Sequence, residues 1–283
     1  MFLRKERAAV RNATRAIRDL VLRPGRELAT GGFGGGFSGG LNALSLLASG
    51  PLRQMPEMAA RLPGALKDLG DRLTAIPGSR RRAPALAFAA QALAGSVRHG
   101  TAVRERYLNL LAAAMDDQTS ERVHPGFLNV LRQLSADEVL LVSQFQHDGP
   151  YPLVTVVARY KYGGPITTEL RNYSLLGVVA GCEHPERVPF YVDNLCRLGL
   201  TEIRPVRISD DTRAFKAVEQ SPDVQAAIAR IEANPPAPLK EAPKDADDGD
   251  RVVPDVQRKA LYVTDFGRRF YEACEYRPDP AER

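Results

Sequence analysis

The sequence contains no tryptophan and only three cysteines, Cys182, Cys196 and Cys274, in 283 residues. Because this is an odd number at unrelated spacings, a disulfide framework is not expected, and a reducing cytoplasm is the predicted location. No uncharged run is rich enough in leucine, isoleucine, valine and phenylalanine to predict a membrane-spanning helix. The first residues also lack the order of segments that makes a secretory signal. These absences argue against a disulfide-stabilised, exported or integral membrane protein.

Residue patterns for metal binding and catalysis are also scarce. Cys182, His184 and Cys196 are possible metal ligands, but a fourth ligand and a closely spaced cysteine pair are missing, so a structural role is predicted for them. Carboxylates such as Asp116 and Asp117 occur as adjacent pairs. Because adjacent helical side chains point in different directions, these pairs are interpreted as solvated helix ends or caps. The sequence predicts no catalytic residue, no metal and no cofactor.

Residues 1–26 predict a basic amphipathic helix. At 100° per residue, five of its arginines fall within an arc of about 80°, and its apolar residues share another face. Such a helix can bind an anionic membrane or a phosphate backbone, or it can pack its apolar face on the protein body. As candidate phosphate or membrane contacts, the sequence nominates Arg4, Arg7, Arg11, Arg15 and Arg18. Membrane contact by these arginines predicts a position peripheral to the inner membrane.

Residues 27–60 predict a glycine-rich tether with short helices. Its centre, residues 30–40, reads TGGFGGGFSGG, and residues 28–52 carry no charge. Its leucines and phenylalanines favour membrane insertion by only about 2 to 5 kcal/mol, which its glycines oppose. The glycines also match a dinucleotide-binding pattern formally, but no predicted strand precedes them. A flexible tether is therefore preferred to a membrane helix or a nucleotide site.

The rest of the chain predicts a mainly α fold with a small antiparallel β component. A helical bundle is expected over residues 61–134, because apolar residues recur there at helical spacing. Ser135 followed by Glu138 fits a capping box that starts the next helix. A winged helix-turn-helix-like module is expected over residues 135–275, followed by a tail over residues 276–283. The module includes a predicted hairpin over residues 153–172.

Two segments near the C-terminus predict the two halves of that winged module. Residues 189–203 predict a helix that ends at Gly199 and continues into a strand. Residues 260–274 predict a strand that leads into a closing helix with Thr264 near its N-cap. An insertion over residues 209–256 separates the two predicted strands. Its acidic, proline-rich part, residues 234–252, is predicted to be disordered.

The helix predicted over residues 186–198 is the candidate recognition helix of the module. Its outward residues Arg187, Asn194 and Arg197 are of types that contact phosphates or base edges. Glu186 and Asp193 lie beside them and dilute the positive charge. A protein partner is therefore favoured over nucleic acid.

Three separated motifs give the chain a resemblance to a known family. They are YLNLLAAAMDDQTSERVHPGFLNVLRQLSADE at residues 107–138, VDNLCRLGLTEI at 192–203 and LYVTDFGRRFYEAC at 261–274. In this order, they resemble the Abi-alpha (abortive infection alpha) family, formerly described as a domain of unknown function. The resemblance covers roughly residues 60–275. It implies a mostly helical, cytoplasmic protein associated with anti-phage abortive infection, and it transfers no catalytic site.

Three functional hypotheses follow from the sequence. The first is a non-enzymatic anti-phage protein that acts through protein or membrane-surface contacts, with a phage-derived protein or a second copy of the chain as candidate partners. The alternative is a nucleic-acid-binding winged-helix regulator, whose binding would weaken steeply with salt. The third, ranked last, is an enzyme of unrecognised type.

Overall fold

The computed structural model describes residues 56–206, 212–236 and 251–278, and these divide into two compact units. The helical unit comprises the described residues up to Val139 together with those from Arg269 onward, and the sheet unit spans Leu140–Arg268. The fold is mostly helical with a four-stranded antiparallel sheet, which confirms the predicted fold class at that level. The predicted basic helix, nearly all of the predicted tether and most of the acidic, proline-rich stretch lie outside the described residues.

The helical unit is built around three longer helices that pack on one another. α1 buries apolar residues at helical spacing, including Leu66, Leu69 and Leu73, as the sequence predicts. α2 packs on α3 because Gly95 leaves room for the ring of Tyr107. The helices up to this point in the chain are α1 (Pro56–Ala75), α2 (Leu86–Arg98), α3 (Thr101–Ala114), α4 (Asp117–Ser120) and α5 (Phe127–Leu131).

The helix that follows, α6 (Ala136–Val142), begins at the predicted capping box. The backbone N–H of Ser135 donates to Glu138 Oε2 at 2.7 Å, and the N–H of Glu138 donates to Ser135 Oγ at 3.3 Å. This reciprocal pair satisfies two amide groups that the first helical turn cannot. α5 ends at Leu131, because the chain must leave helical geometry before the new cap at Ser135.

The sheet unit has strand order β2-β1-β4-β3, with every neighbouring pair antiparallel. β1 and β2 form the hairpin that the sequence predicts. β4 starts at Val252, earlier than the pattern around Ala260 indicated, and pairs with β1 along ten residues. The elements are β1 (Tyr151–Tyr160), β2 (Pro165–Tyr173), α7 (Leu176–Val179), α8 (Val188–Arg197), β3 (Thr201–Pro205), α9 (Thr212–Glu219), α10 (Pro222–Ala233), β4 (Val252–Val263) and α11 (Asp265–Cys274).

Helices cover both faces of this sheet. One face packs on α9 and α10, the helices of the predicted insertion. Leu170 of β2 packs against that core, whereas the next residue, Arg171, binds Asp193 of α8 at 3.1 Å. Because successive strand residues point to opposite faces, α8 lies on the other side of the sheet. The core on the α9 and α10 side comprises Val154, Val156, Ala158, Phe215, Val218, Val224, Ala227, Ile231 and Ala260.

An ion pair and a ring contact also attach the insertion helices to the sheet. Arg258 of β4 donates to both carboxylate oxygens of Glu219, at 2.5 and 2.8 Å, and its guanidinium lies 5.7 Å from the ring centre of Phe215. Phe215 is 1% exposed. α9 and α10 are therefore a layer of the sheet unit and contribute about half of its buried cluster. Over the three described ranges, no helix is long and apolar enough to cross a bilayer.

Candidate functional site

The predicted recognition helix, α8, is anchored firmly in the sheet unit. It buries Val188, Val192 and Leu195 and packs against β2 and β3. It ends at Gly199, as predicted, with φ of +74°. The N–H of Leu200 donates to the carbonyl of Leu195, and the N–H of Gly199 donates to that of Cys196, both at 3.0 Å. These bonds form a Schellman motif, which satisfies the last carbonyls of the helix and directs the chain into β3.

The outer face of α8 carries the three residues that the sequence nominated. Arg187, Asn194 and Arg197 share an arc of about 80° on a helical projection, and Phe190 lies within the same arc. Phe190 is 75% exposed. The sequence prediction did not include Phe190, although residues three apart share a helix face and Phe190 follows Arg187 at this spacing. The structure thus places an exposed aromatic ring among the nominated polar residues.

The charges on this face have both signs. Arg197 donates to Asn194 Oδ1 through Nε at 3.0 Å and through Nη2 at 2.6 Å, so these two nominated residues form one unit. Arg187 Nε lies 3.8 Å from Glu186 Oε1, and Asp193 Oδ1 accepts a hydrogen bond from Arg171 Nη2. A phosphate backbone would therefore meet carboxylates as well as guanidinium groups. The face lacks the single sign of charge that strong nucleic-acid binding uses.

α7 adjoins the first turn of α8 through Gly177. A Cβ atom on Gly177 would lie 2.5 Å from Val188 Cγ2 and 3.0 Å from Pro185 Cα, so only glycine permits this approach. The two following residues of α7, Val178 and Val179, are 63% and 69% exposed.

The segment after α8 pairs with β4 as the sequence predicts. β3 and β4 pair antiparallel from Thr201 opposite Val263 to Pro205 opposite Lys259. Thr264 caps α11, because its Oγ1 accepts the N–H of Gly267 at 2.9 Å and donates to the carbonyl of Gly199 at 2.5 Å. The hydroxyl therefore joins the end of α8 to the start of α11.

The helical unit contains a buried polar cluster around Asp116, which is fully buried. Its carboxylate accepts from Arg80 at 3.1 and 2.5 Å, from the Tyr276 hydroxyl at 2.6 Å and from the Gln118 amide at 3.1 Å. Burial alone would raise the pKa of Asp116, but these hydrogen bonds outweigh burial and lower it. Burial and the bonded carboxylate raise the pKa of Tyr276.

This cluster corrects the interpretation of Asp116 as a solvated residue. Asp116 does cap a helix, α4, as the sequence indicated, but its charge is enclosed. The adjacent Asp117 is the exposed member of the pair, with 70% of its side chain accessible. Sequence spacing could not distinguish the two, because the partners Arg80 and Tyr276 lie far away along the chain.

The helical unit also has an open groove of about 450 Å³ between the start of α2 and the segment that follows α4. Phe88, Val123 and Leu128 contribute apolar surface, and Gln91 and Glu121 contribute polar groups. Six of its 13 lining residues belong to the first of the three sequence motifs, and the other seven come from residues 82–91. Its mixed, open lining does not specify one kind of ligand.

The cysteines do not converge in the structure. Cys196 Sγ lies 3.4 Å from Thr201 Oγ1, and burial raises the pKa of its thiol. Cys274 is buried on α11, and burial raises its pKa as well. His184, the histidine considered with the cysteines as a metal ligand, has its Nδ1 atom 3.4 Å from Glu186 Oε1. In the part of the chain that the structure describes, no three histidine, cysteine or carboxylate side chains are grouped so that they could hold a metal ion.

The fold defines a mostly helical protein with a four-stranded antiparallel sheet. The sequence model of the family described as Abortive infection alpha matches residues 58–274. The chain belongs to this family, which confirms the resemblance carried by the three motifs.

Other comparisons add little to this assignment. Among curated proteins, none matches the chain significantly. One similar solved structure is an uncharacterized protein from the hydrocarbon-degrading marine bacterium Alcanivorax borkumensis SK2. The two are 17% identical, with a TM-score of 0.34, over 56% of this chain and 96% of that one.

Proposed function

We propose that the protein acts in anti-phage defence through contact with another macromolecule, without catalysis. Membership of the abortive infection alpha family supports the anti-phage role. The observation that carries the contact mechanism is the outer face of α8, where Arg187 and Arg197 flank the exposed ring of Phe190. Arginine and aromatic side chains are enriched at protein interfaces and dominate their binding energy.

In this proposal, α8, β3, β4 and α11 act together as a winged-helix-like reader. The support is the antiparallel pairing of β3 with β4 directly after the helix, together with the Thr264 hydroxyl that joins the ends of α8 and α11. Such fixed ends hold the outer face of α8 in one orientation. A preformed face loses less conformational entropy on binding.

The proposed partner of this face is a protein, with a phage-derived protein as the candidate trigger. The mixed charges around Phe190 favour protein over nucleic acid. The arginines of residues 1–26 lie outside the described residues, and their contact with an anionic membrane surface is a separate part of the proposal. This contact would place a cytoplasmic protein at the inner membrane.

The test is a plaque assay in a host that carries the gene. A variant with Arg187→Ala, Asn194→Ala and Arg197→Ala should lose protection, because it removes the polar part of the face without touching buried residues. A matched control, Lys216→Ala with Glu232→Ala, changes exposed residues on α9 and α10 and should protect like the wild type. Deletion of residues 1–50 in the same assay tests the membrane part. Full protection by a correctly folded triple variant would refute the role of α8.

Nucleic-acid binding is the second candidate, favoured by a helix with Arg187, Asn194 and Arg197 that precedes two paired strands. A gel-shift titration at several salt concentrations separates the two functions. Binding that weakens steeply with salt and is lost in the triple variant would replace the protein partner by DNA or RNA. Absence of a shift at low salt would eliminate this candidate.

A further inference from the structure

A second cavity in the helical unit, of about 60 Å³, lies between the segment that follows α4 and the part of α11 that belongs to this unit. Two arginines line it, Arg122 from that segment and Arg269 from α11. Arg122 belongs to the first of the three sequence motifs and Arg269 to the third. They are distant along the chain and share a cavity only through folding.

The two arginines are not neutralised within the described ranges. Other guanidinium groups of the helical unit form ion pairs, such as Arg72 with Glu105 and Arg106 with Glu275. Arg122 and Arg269 are exposed, and their guanidinium groups form no hydrogen bond or ion pair with the described residues. A single exposed arginine is ordinarily solvated, whereas two beside one cavity supply a local excess of positive charge.

The hydroxyl groups that line the cavity are already engaged. Thr119 Oγ1 donates to the carbonyl of Ala113 at 2.7 Å, and the Tyr276 hydroxyl donates to Asp116 Oδ2 at 2.6 Å. Among the described lining residues, Glu272 of α11 supplies the single carboxylate. The two guanidinium groups are therefore the side-chain donors that the described part of the cavity offers to a ligand. Two positive charges and one negative charge leave a net charge of +1 there.

The size and the donors of this cavity fit a phosphate group. A volume of about 60 Å³ has room for a few water molecules, which suits a small anionic group. A phosphate monoester carries a charge of about −1.5 to −2 at pH 7 and three acceptor oxygens, so it can bind two guanidinium groups at once. A carboxylate has only two oxygens, which one arginine can satisfy. The pair of arginines therefore favours a phosphate over a carboxylate.

We propose that the cavity beside Arg122 and Arg269 is a binding site for a phosphate group, with both guanidinium groups as donors. Glu272 lowers the affinity of the site, because its carboxylate repels the anion. This binding activity goes beyond the proposed function, because it uses the helical unit and none of the residues on the outer face of α8.

The test is isothermal titration calorimetry of the full-length chain at low ionic strength, with inorganic phosphate as the probe. The wild type should bind one phosphate with a dissociation constant of about 1 mM or below. Arg122→Gln and Arg269→Gln should each raise this constant about tenfold or more, since each removes charged hydrogen-bond donors. Glu272→Gln should lower it about threefold, because a repulsive charge near the anion is removed.

Arg61→Gln is the matched control, because Arg61 is an exposed arginine of α1 and is not among the described residues that line the cavity. It should bind phosphate like the wild type, and far-UV circular dichroism should show that all variants are folded. Acetate at equal ionic strength should not compete with phosphate. The proposal is overturned if the wild type shows no binding up to about 10 mM phosphate. Equal dissociation constants for Arg122→Gln, Arg269→Gln and Arg61→Gln, or competition by acetate, would overturn it as well.

Adenosine monophosphate in the same titration separates two sources of the phosphate group. Tighter binding of the nucleotide than of inorganic phosphate, with loss of affinity in Arg269→Gln, identifies a phosphorylated small molecule as the ligand. Equal or weaker binding of the nucleotide identifies free phosphate. If adenosine binds as tightly as its monophosphate, the phosphate group contributes nothing and the proposal fails.

Discussion

Replacement of Asp116 by asparagine should strongly destabilise the helical unit. The carboxylate is fully buried and accepts hydrogen bonds from Arg80, Tyr276 and the Gln118 amide. Asparagine has nearly the same shape but no charge, so the Arg80 side chain, only 12% exposed, loses the charge of this carboxylate partner. Removal of one partner from a buried ion pair costs about 3 to 5 kcal/mol. Because the amide keeps one acceptor oxygen, we expect the free energy of unfolding to fall by about 3 kcal/mol, the lower end of this range.

The adjacent carboxylate provides a matched control. Asp117 has a side chain that is 70% exposed, and it lies 3.3 Å from Arg82. An exposed ion pair contributes between about 0 and 1 kcal/mol, so Asp117→Asn should change the free energy of unfolding by less than about 1 kcal/mol. The two variants make the same chemical change at neighbouring positions, and only burial and the number of partners differ.

Urea unfolding followed by far-UV circular dichroism measures both variants, since the chain has no tryptophan for fluorescence. Each transition is fitted separately if the two units unfold apart. Folding lowers the pKa of Asp116, so its contribution is present above the ordinary aspartate pKa and is lost as the pH falls through the folded value. The difference between wild type and Asp116→Asn should therefore shrink below about pH 4. Equal stability of the two variants at pH 7 would refute the buried-charge explanation.

Two further substitutions test the sheet unit by thermal and urea unfolding. Phe215→Ala should lower the free energy of unfolding by about 3 to 5 kcal/mol, because α9 supplies this buried ring to the core. Lys216→Ala, on the exposed side of α9, should leave the free energy of unfolding nearly unchanged. A small effect of Phe215→Ala would mean that the insertion helices are dispensable. Gly267→Ala should cost about 1 to 3 kcal/mol or more, because its Cβ would overlap the carbonyl oxygen of Leu200. Gly78→Ala, where a Cβ has no neighbour within 4 Å, should be tolerated, and equal effects of the two glycine changes would contradict the packing argument.

Features that depend on neighbouring residues were predictable from the sequence. The Ser135 and Glu138 capping box, the end of α8 at Gly199 and the Thr264 cap are local hydrogen-bond patterns, and each occurs where the residues indicate. The hairpin of β1 and β2 follows from alternating residues around two glycines. The outward position of Arg187, Asn194 and Arg197 follows from helical periodicity alone.

Features that depend on distant partners were not predictable. The segment that the sequence assigns to an insertion supplies α9 and α10, whose apolar faces complete the core on one side of the sheet. Their helical periodicity is visible in the sequence, but the surface that they cover is not. The early start of β4 at Val252 has the same cause, since Pro254 and Asp255 interrupt its valines and this segment becomes a strand by pairing with β1.

The sequence by itself determined the family, the mainly helical character and the ends of several elements, because caps, turns and periodic apolar residues act over a few positions. The three motifs that indicate the family are likewise read without coordinates. Only the tertiary structure decided that Asp116 is a buried ion-pair partner, and that α9 and α10 cover one face of the sheet. Burial and the sharing of a face depend on residues far apart in the chain, and folding alone brings them together.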